Sequence, residues 1–217
     1  MSVPPSYLII GCGHFGSRAA EKLLKKNLRS KIVVVDSDKN TLKKISSLSV
    51  GTVVSDGLLY LDHSLSEDQS FNYIIPAIPS HLAFEFILSR LKRFGARKGK
   101  IPPLSGLPNP VKGKKGDLYT SLADFLCPED CPGPSPNCTV TRRRHDKPLY
   151  QILQDLQGPF ESKVIISEQL LPGVGGFRLK ALLALLEDVK NLKNAFPLVL
   201  ISTASSCHGV TSALSFI

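Results

Sequence analysis

Short apolar runs alternate with amphipathic stretches through the first 97 residues. Apolar runs of strand length predict four β-strands, at residues 7–10, 32–35, 52–55 and 73–77. Apolar positions at helical spacing predict helices over residues 15–28, 39–48 and 82–94. Strands that alternate with helices are typical of a parallel sheet. We therefore expect the first half of a doubly wound sheet, with the strand order 3-2-1-4.

This alternation stops between residues 98 and 148. Nine of the 16 prolines and five of the 16 glycines fall in this segment, which is typical of a loop excursion. The pattern then predicts a helix at 149–156, a strand at 163–167, a glycine-rich turn at 172–176, a helix at 177–192 and a strand at 198–202. We expect residues 149–217 to complete the same sheet, after a dinucleotide-binding half at 1–97. The predicted fold class is α/β, a doubly wound, mostly parallel Rossmann-type sheet of order 3-2-1-4-5-6 with a Pro/Cys-rich excursion.

The turn after the first predicted strand carries the spacing Gly11-x-Gly13-x-x-Gly16. In such a turn the first glycine permits a tight bend, the second lets the backbone approach a pyrophosphate, and the third lets the helix pack close to the sheet. The helix N-terminus then offers unpaired N–H groups to the phosphates. Asp36 ends the second apolar run, where a carboxylate can accept the hydroxyls of an adenosine ribose. Together these residues predict a dinucleotide site.

The acid at position 36 also bears on the kind of nucleotide. A carboxylate repels a 2′-phosphate, and the next residues, Ser37 and Asp38, include no arginine to neutralise one. NAD(H) is therefore favoured as the cofactor over its phosphorylated forms. The motif contacts only the adenosine and pyrophosphate half of a dinucleotide. An adenine nucleotide without nicotinamide therefore also stays possible as the ligand. His14 and Phe15 lie between the glycines, and we expect them beside the cofactor.

Two histidines are placed by the predicted topology at the edge where open α/β sheets bind ligands. His81 follows the fourth predicted strand and His208 follows the last one. Either is a candidate for acid–base chemistry, although a histidine at such a place often caps a helix or bonds a neighbouring loop. The sequence shows no carboxylate partner for them, so the catalytic residues stay unknown.

Three cysteines, Cys127, Cys131 and Cys138, lie close together in the excursion with the spacing C-x3-C-x6-C. A proline after each of the first two stiffens the loop, so the three sulfurs can converge. Thiolates select zinc or iron–sulfur clusters, and Cys207 at the ligand edge is the best candidate for a fourth ligand. The spacing does not match a zinc-ribbon repeat, which leaves zinc, an iron–sulfur cluster and free thiols open.

The chain has 27 basic and 18 acidic side chains and a net charge of +9. The basic residues are dispersed, and the sharpest cluster, Arg142–Arg144, is not interleaved with aromatic residues, so nucleic acid is not favoured as a partner. No apolar run approaches the roughly 20 residues that span a bilayer. The N-terminus lacks the basic start of a signal peptide. We expect a cytoplasmic protein.

Residues 1–95 resemble the NAD-binding domain of the RCK, or TrkA-N, family, which regulates K⁺ conductance. The resemblance is carried by Leu8-Ile-Ile-Gly-Cys-Gly-His-Phe-Gly-Ser, Val33-Val-Val-Asp-Ser-Asp and Val53-Val-Ser-Asp-Gly. It implies a pyrophosphate on the three glycines, a ribose on Asp36 and an adenine near Asp56. A homodimer and a membrane transporter subunit are the partners that such a regulator would have. Residues 98–217 resemble neither the family's dimerisation arm nor its ligand-sensing domain.

Three functions stay open on this sequence. One is an NAD(H)-binding regulatory or redox-sensing protein, with the cysteines as a metal or cluster site and potassium transport as the regulated process. A second is an NAD-dependent oxidoreductase that acts on a small substrate. A third is a nucleotide-binding subunit that assembles on a membrane transporter through its basic surface. Because no acid–base pair is evident, the first is favoured.

Overall fold

The computed structural model describes residues 4–66, 71–134 and 137–216, which form two β-sheets and six α-helices. The strands are β1 (Ser6–Ile10), β2 (Lys31–Asp36), β3 (Gly51–Val54), β4 (Tyr73–Pro76), β5 (Ala96–Lys98), β6 (Val111–Lys112), β7 (Leu118–Ser121), β8 (Glu161–Ile166), β9 (Glu168–Leu171), β10 (Val174–Arg178), β11 (Leu198–Ala204) and β12 (His208–Phe216). The helices are α1 (His14–Lys26), α2 (Lys39–Leu42), α3 (Gly57–Ser66), α4 (Leu82–Leu91), α5 (Leu149–Gln154) and α6 (Leu179–Asn191). In this described part of the chain no helix has the length and apolar character needed to cross a membrane.

The first sheet has the order β3-β2-β1-β4-β10-β9, and its first four strands are parallel. The predicted α/β class and the predicted 3-2-1-4 half are therefore confirmed. Successive residues of β1 point to opposite faces, and both faces are buried. Ile9 packs in the cluster that contains the apolar side of α1, whereas Leu8 and Ile10 pack in the cluster that contains α4. Burial on both faces explains why β1 is an uninterrupted apolar run.

Helix α3 was not predicted. Its apolar residues follow no clear helical period, so the hydrophobic pattern does not predict this helix. One local signal does mark its start, because Asp56 Oδ1 accepts the backbone N–H groups of Leu58 and Leu59 at 2.9 and 3.0 Å. An acidic side chain in that position is a typical helix N-cap.

The predicted strands at 163–167 and 198–202 do not extend the first sheet, so the end of the predicted order, 4-5-6, is wrong. The glycine-rich turn at 172–176 belongs instead to a hairpin of β9 and β10, and β10 pairs with β4 antiparallel. The hairpin covers the free edge of β4, which is the edge that a fifth parallel strand would need. Strands β8 and β11 consequently pair in a second sheet.

The second sheet has the order β6-β7-β12-β11-β8, with β5 also paired to β12. Its central strand β12 was not predicted, and the excursion contributes the β6–β7 hairpin that pairs with it. Residues 98–148 and 149–217 therefore share this sheet, and of 149–217 only the hairpin β9–β10 joins the first sheet. Helices α4 and α6 supply side chains to a core that also includes β1, β4, β11 and β12.

Candidate functional site

The glycine turn after β1 has the conformation that its sequence predicts. Gly11 has φ +98°, and a Cβ there would lie 2.6 Å from the carbonyl oxygen of Ala77. A Cβ on Gly16 would lie 1.9 Å from the carbonyl oxygen of Gly11. Both positions therefore require glycine for the close approach of α1 to the end of the sheet.

Gly13 differs from Gly11 and Gly16, the other two glycines of the turn. It is the N-cap of α1 with φ −64°, which suits any residue, and a Cβ built on it meets nothing within 4 Å in the described part of the chain. The backbone packing of the turn thus does not require glycine at this position. The space in front of Gly13 lies at the helix N-terminus, where N–H groups attract anions.

Asp36 lies at the end of β2, beside the glycine turn. Its Oδ2 accepts the backbone N–H of Cys12 at 2.6 Å, and its Oδ1 accepts that of Asp38 at 2.9 Å. Two backbone donors fix the carboxylate in one orientation. Each carboxylate oxygen has a second lone pair, so both oxygens can still accept a ligand hydroxyl.

A cleft of about 340 Å³ opens beside this carboxylate. Gly11, Asp36, Ser37 and Asp56 line it, as expected for residues that follow parallel strands. Lys115, from the turn between β6 and β7, also lines the cleft. The sequence analysis missed this lysine because it reaches the cleft from the second sheet.

His14 and Phe15, the first residues of α1, are both exposed. Their rings meet edge to face at 5.2 Å between centroids. His14 Nε2 lies 3.0 Å from Glu129 Oε1, so the excursion contacts the helix end where a pyrophosphate is expected. Sequence reasoning did not foresee this contact.

The second candidate site is a cavity of about 520 Å³, which we call the thiol cavity. Cys127, Cys131, Cys138 and Cys207 all line it, together with His208. Cys127 Sγ lies 3.6 Å from His208 Nε2. The structure thus brings the four predicted cysteines to one place, although 69 positions separate the last two (207 minus 138).

The thiols differ in their acidity. Burial raises the pKa of Cys207 to about 11, and the neighbouring cysteines add to the rise. Hydrogen bonds from Thr141 and from backbone groups lower the pKa of Cys138. Across residues 4–66, 71–134 and 137–216, no group of three or more His, Cys, Asp or Glu side chains is arranged to hold a metal ion.

His81, the other predicted candidate for acid–base chemistry, is 3% exposed. Its Nδ1 lies 2.8 Å from Ser212 Oγ, and its Nε2 lies 2.9 Å from Thr203 Oγ1. Ser212 in turn donates to Asp117 Oδ1 at 2.7 Å, and Lys98 Nζ donates to the same oxygen at 2.8 Å. These five residues form a hydrogen-bonded chain in which His81, Ser212 and Asp117 are buried.

The carboxylate of Asp117 sets the direction of the hydrogen bonds along this chain. Burial raises the pKa of Asp117, but hydrogen bonds from Lys98 and Ser212 outweigh it, so the pKa is lowered and the group is ionised. Ser212 therefore accepts from His81 Nδ1–H. Burial lowers the pKa of His81 to about 3, so Nε2 carries no proton and accepts from Thr203. The proton of Thr203 points to His81, and Thr203 also lines the thiol cavity.

Comparison with known families supports the resemblance that the N-terminal part of the sequence predicts. A TrkA-N domain model matches residues 7–59, which confirms the predicted resemblance. A second family model, AF_1314_C, described as "Uncharacterized protein, C-terminal domain", matches residues 83–217, more than half of the chain. The chain belongs to the AF_1314_C family. The AF_1314_C segment (residues 83–217) contains Lys115 and all four cysteines of the thiol cavity.

Among solved structures, a dTDP-glucose 4,6-dehydratase from Bacillus anthracis str. Ames, in complex with NAD, is similar to part of the chain. The match has a TM-score of 0.30 and 18% identity, and it covers 42% of this chain and 34% of the dehydratase. The matched part therefore spans about a third of that enzyme's length. No curated protein matches the chain.

Proposed function

We propose that the protein binds NAD(H) and acts as a regulatory or sensing protein. One observation supports the nucleotide site. Within the described residues, neither the backbone conformation at position 13 nor the packing around it requires a glycine. A bound pyrophosphate supplies the missing reason, because it must approach the backbone at this point.

The cleft beside Asp36 supports an adenosine at the other end of the ligand. The orientation of its carboxylate by two backbone N–H groups suits recognition of ribose hydroxyls. A negative charge there favours NAD(H) over NADP(H). Lys115 is a cationic side chain in the same cleft, so it sets how strong this preference is.

The test compares Gly13→Ala with Gly51→Ala. A methyl group on Gly13 meets no protein atom within 4 Å among the described residues, and one on Gly51 makes an ordinary contact of 3.4 Å with Val33. We expect both variants to keep the wild-type melting temperature. Only Gly13→Ala should bind NADH at least about tenfold more weakly in a fluorescence titration, a loss of about 1.4 kcal/mol. Equal NADH affinities for the two variants would count against the site.

The regulatory role rests on the contacts of the two predicted acid–base candidates, since the hydrogen bonds of the described residues pair neither imidazole directly with a carboxylate. His81 is buried and bonded at both ring nitrogens, and His208 lies against Cys127. The resemblance to TrkA-N regulators extends the role to potassium transport, with a homodimer and a membrane transporter as partners and the cytoplasm as location. These extensions stay predictions.

We further propose that the thiol cavity is the sensing element, as a zinc or iron–sulfur site or as a set of reactive thiols. The support is the meeting of four cysteines from separate segments in one cavity. For metal ligation the sulfurs would have to move closer together than the described arrangement has them.

Metal analysis and a visible absorption spectrum of anaerobically purified protein test this role. Cys207→Ser removes one cavity thiol, and Cys12→Ala, a buried cysteine outside the cavity, is the control. Zinc or iron that is retained in Cys12→Ala and lost in Cys207→Ser would support a metal site. Metal-free protein whose cavity thiols oxidise reversibly would support reactive thiols. Metal-free protein with inert thiols would contradict the proposal.

An NAD-dependent oxidoreductase is the second candidate, and Thr203 favours it. Thr203 lines the cavity and its hydroxyl bonds to His81 Nε2, so it can accept the proton of a substrate alcohol and pass its own to Nε2. The alcohol carbon would give its hydride to NAD⁺, which leaves a carbonyl product and NADH. NADH formation with a panel of small alcohols, lost in Thr203→Val and kept in Thr203→Ser, would support this reaction.

A further inference from the structure

Helix α1 carries a stripe of basic side chains at intervals of four residues, which places them on one face. The stripe consists of His14, Arg18, Lys22 and Lys26. Every member contacts the AF_1314_C segment. Lys22 Nζ donates to the carbonyl oxygen of Pro172 at 2.8 Å, and Lys26 Nζ donates to that of Leu170 at 3.3 Å.

The outer part of the stripe is held by two adjacent acids, Glu129 and Asp130, which we call the acidic clasp. Glu129 contacts His14 at 3.0 Å and also pairs with Arg18. Asp130 accepts from Arg18 Nη2 at 2.7 Å and pairs with Lys22. Because His14 is the first residue of α1, the clasp puts negative charge at the helix end proposed above for the pyrophosphate.

The clasp is built into the loop that carries the thiols, since it lies directly between Cys127 and Cys131. The carbonyl oxygen of Cys131 accepts the backbone N–H of Gly173 at 3.0 Å. Gly173 has φ +72°, and a Cβ there would lie 1.9 Å from the carbonyl oxygen of Glu129. The loop backbone is thus fitted closely against the β9–β10 turn, so a displacement of this backbone away from α1 would disturb the fit.

We infer that the acidic clasp opposes binding of the dinucleotide and couples it to the thiol cavity. The inference rests on the proposed NAD(H) site. A pyrophosphate at the N-terminus of α1 and the carboxylate of Glu129, which contacts His14 there, would both be anions, and neighbouring like charges are only partly screened at physiological salt. Binding of the nucleotide loosens the thiol loop, and by linkage anything that fixes the loop in place weakens nucleotide binding equally.

The test uses Glu129→Gln/Asp130→Asn, which removes both charges and nearly keeps the side-chain shapes. Glu187→Gln/Asp188→Asn removes the same charge from the exposed face of α6 and is the matched control. We expect the clasp variant to bind NADH about fivefold more tightly than wild type, at the weak end of the usual range for coupled sites. The control should bind as wild type does, and Glu129→Gln alone should show a smaller change in the same direction.

The rate at which a thiol reagent modifies the cysteines gives a second readout. In wild type, saturating NADH should raise this rate, whereas the clasp variant should react at the raised rate without NADH. Unchanged or weaker NADH binding in the clasp variant, or a thiol rate that NADH leaves unchanged or lowers, would overturn the coupling alone. If neither wild type nor variant binds NADH, the proposed function fails and the coupling fails with it.

Discussion

The glycine turn after β1 and the hydrogen-bonded chain around His81 are built in opposite ways. The turn is made by residues close in sequence, and its key features are backbone conformation and empty space. The hydrogen-bonded chain joins residues from distant segments, with 131 positions between His81 and Ser212 and 95 between Ser212 and Asp117. The sequence predicts the glycine turn because its requirements are local. It does not predict the hydrogen-bonded chain, because only the tertiary fold brings those residues together.

The two regions should also respond differently to substitution. A ligand site at the turn depends on space that the folded protein leaves open, so changes at Gly13 or Asp36 should affect binding more than folding. The hydrogen-bonded chain includes the buried imidazole of His81 and the buried carboxylate of Asp117, so changes there should affect folding.

The largest effect is expected from Asp117→Asn. The carboxylate of Asp117 is 6% exposed and is the partner of Lys98, whose side chain is 31% exposed. Loss of the negative charge leaves a partly buried ammonium group without compensation and weakens the acceptor for Ser212. We expect a loss of about 3 kcal/mol in the free energy of unfolding, measured by urea denaturation.

Asp155→Asn provides the control for this prediction. Asp155 pairs with Lys147 at a site where both side chains are at least 45% exposed. Its loss should cost less than about 0.5 kcal/mol. Similar losses for the two variants would mean that burial does not distinguish these ion pairs.

A smaller loss of stability is expected from Gly16→Ala, and it sharpens the contrast inside the turn. The added Cβ would lie 1.9 Å from the carbonyl oxygen of Gly11, so α1 would have to move away from β1. Overpacking of this kind costs about 2 kcal/mol. The melting temperature should fall for Gly16→Ala and stay unchanged for Gly13→Ala. A stable Gly16→Ala protein would show that the helix can shift without penalty.

The same contrast explains which parts of the fold were predictable. Strands β1, β2 and β4 are largely buried, and helices separate the strands from β1 to β4, so apolar runs and their spacing predict them. The second sheet is held by pairs such as Val210 with Tyr119, which join an unpredicted strand to the excursion. Strand β12 carries no clear period of two, since Thr211 and Ser212 are both polar and Ala213 and Leu214 are both apolar.

The residues of the candidate sites also fall into two groups, those that a local pattern predicts and those that only the tertiary fold brings into place. Gly11, Gly13, Gly16 and Asp36 lie where their spacing predicts. The convergence of the cysteines was expected from topology and is found, although by way of the second sheet. Lys115, Glu129 and Thr203 reach their sites from other elements, and no local pattern identifies them.

The stability of the protein at mildly acidic pH should report on His81. Its pKa is about 3 when folded and 6.5 when unfolded, because burial penalises the charged imidazole. Between these values the unfolded chain binds a proton that the folded chain does not, so stability falls as the pH falls from 6.5. At pH 5 this amounts to about 2 kcal/mol relative to neutral pH.

The comparison of wild type with His81→Gln isolates this contribution. Asp117 and Lys98, the charged groups near the imidazole, are present in both proteins, so their own titration largely cancels. The stability difference between the two proteins should shrink as the pH falls from 7 to 5 in urea denaturation. A constant difference would mean that His81 stays neutral in the unfolded chain or becomes charged in the folded one.

The smallest effect concerns the choice of nucleotide. Asp36→Ala removes the proposed acceptor of the ribose hydroxyls and also the charge that repels a 2′-phosphate. NADH should bind about tenfold more weakly, a change of about 1.4 kcal/mol, and the preference over NADPH should narrow. Asp38→Ala is the control, because Asp38 bonds the backbone of Asn40 and caps α2 without lining the cleft. If both variants lose NADH affinity equally, the loop conformation after β2 matters and direct recognition of the ribose by Asp36 does not, because only Asp36 lies in the cleft.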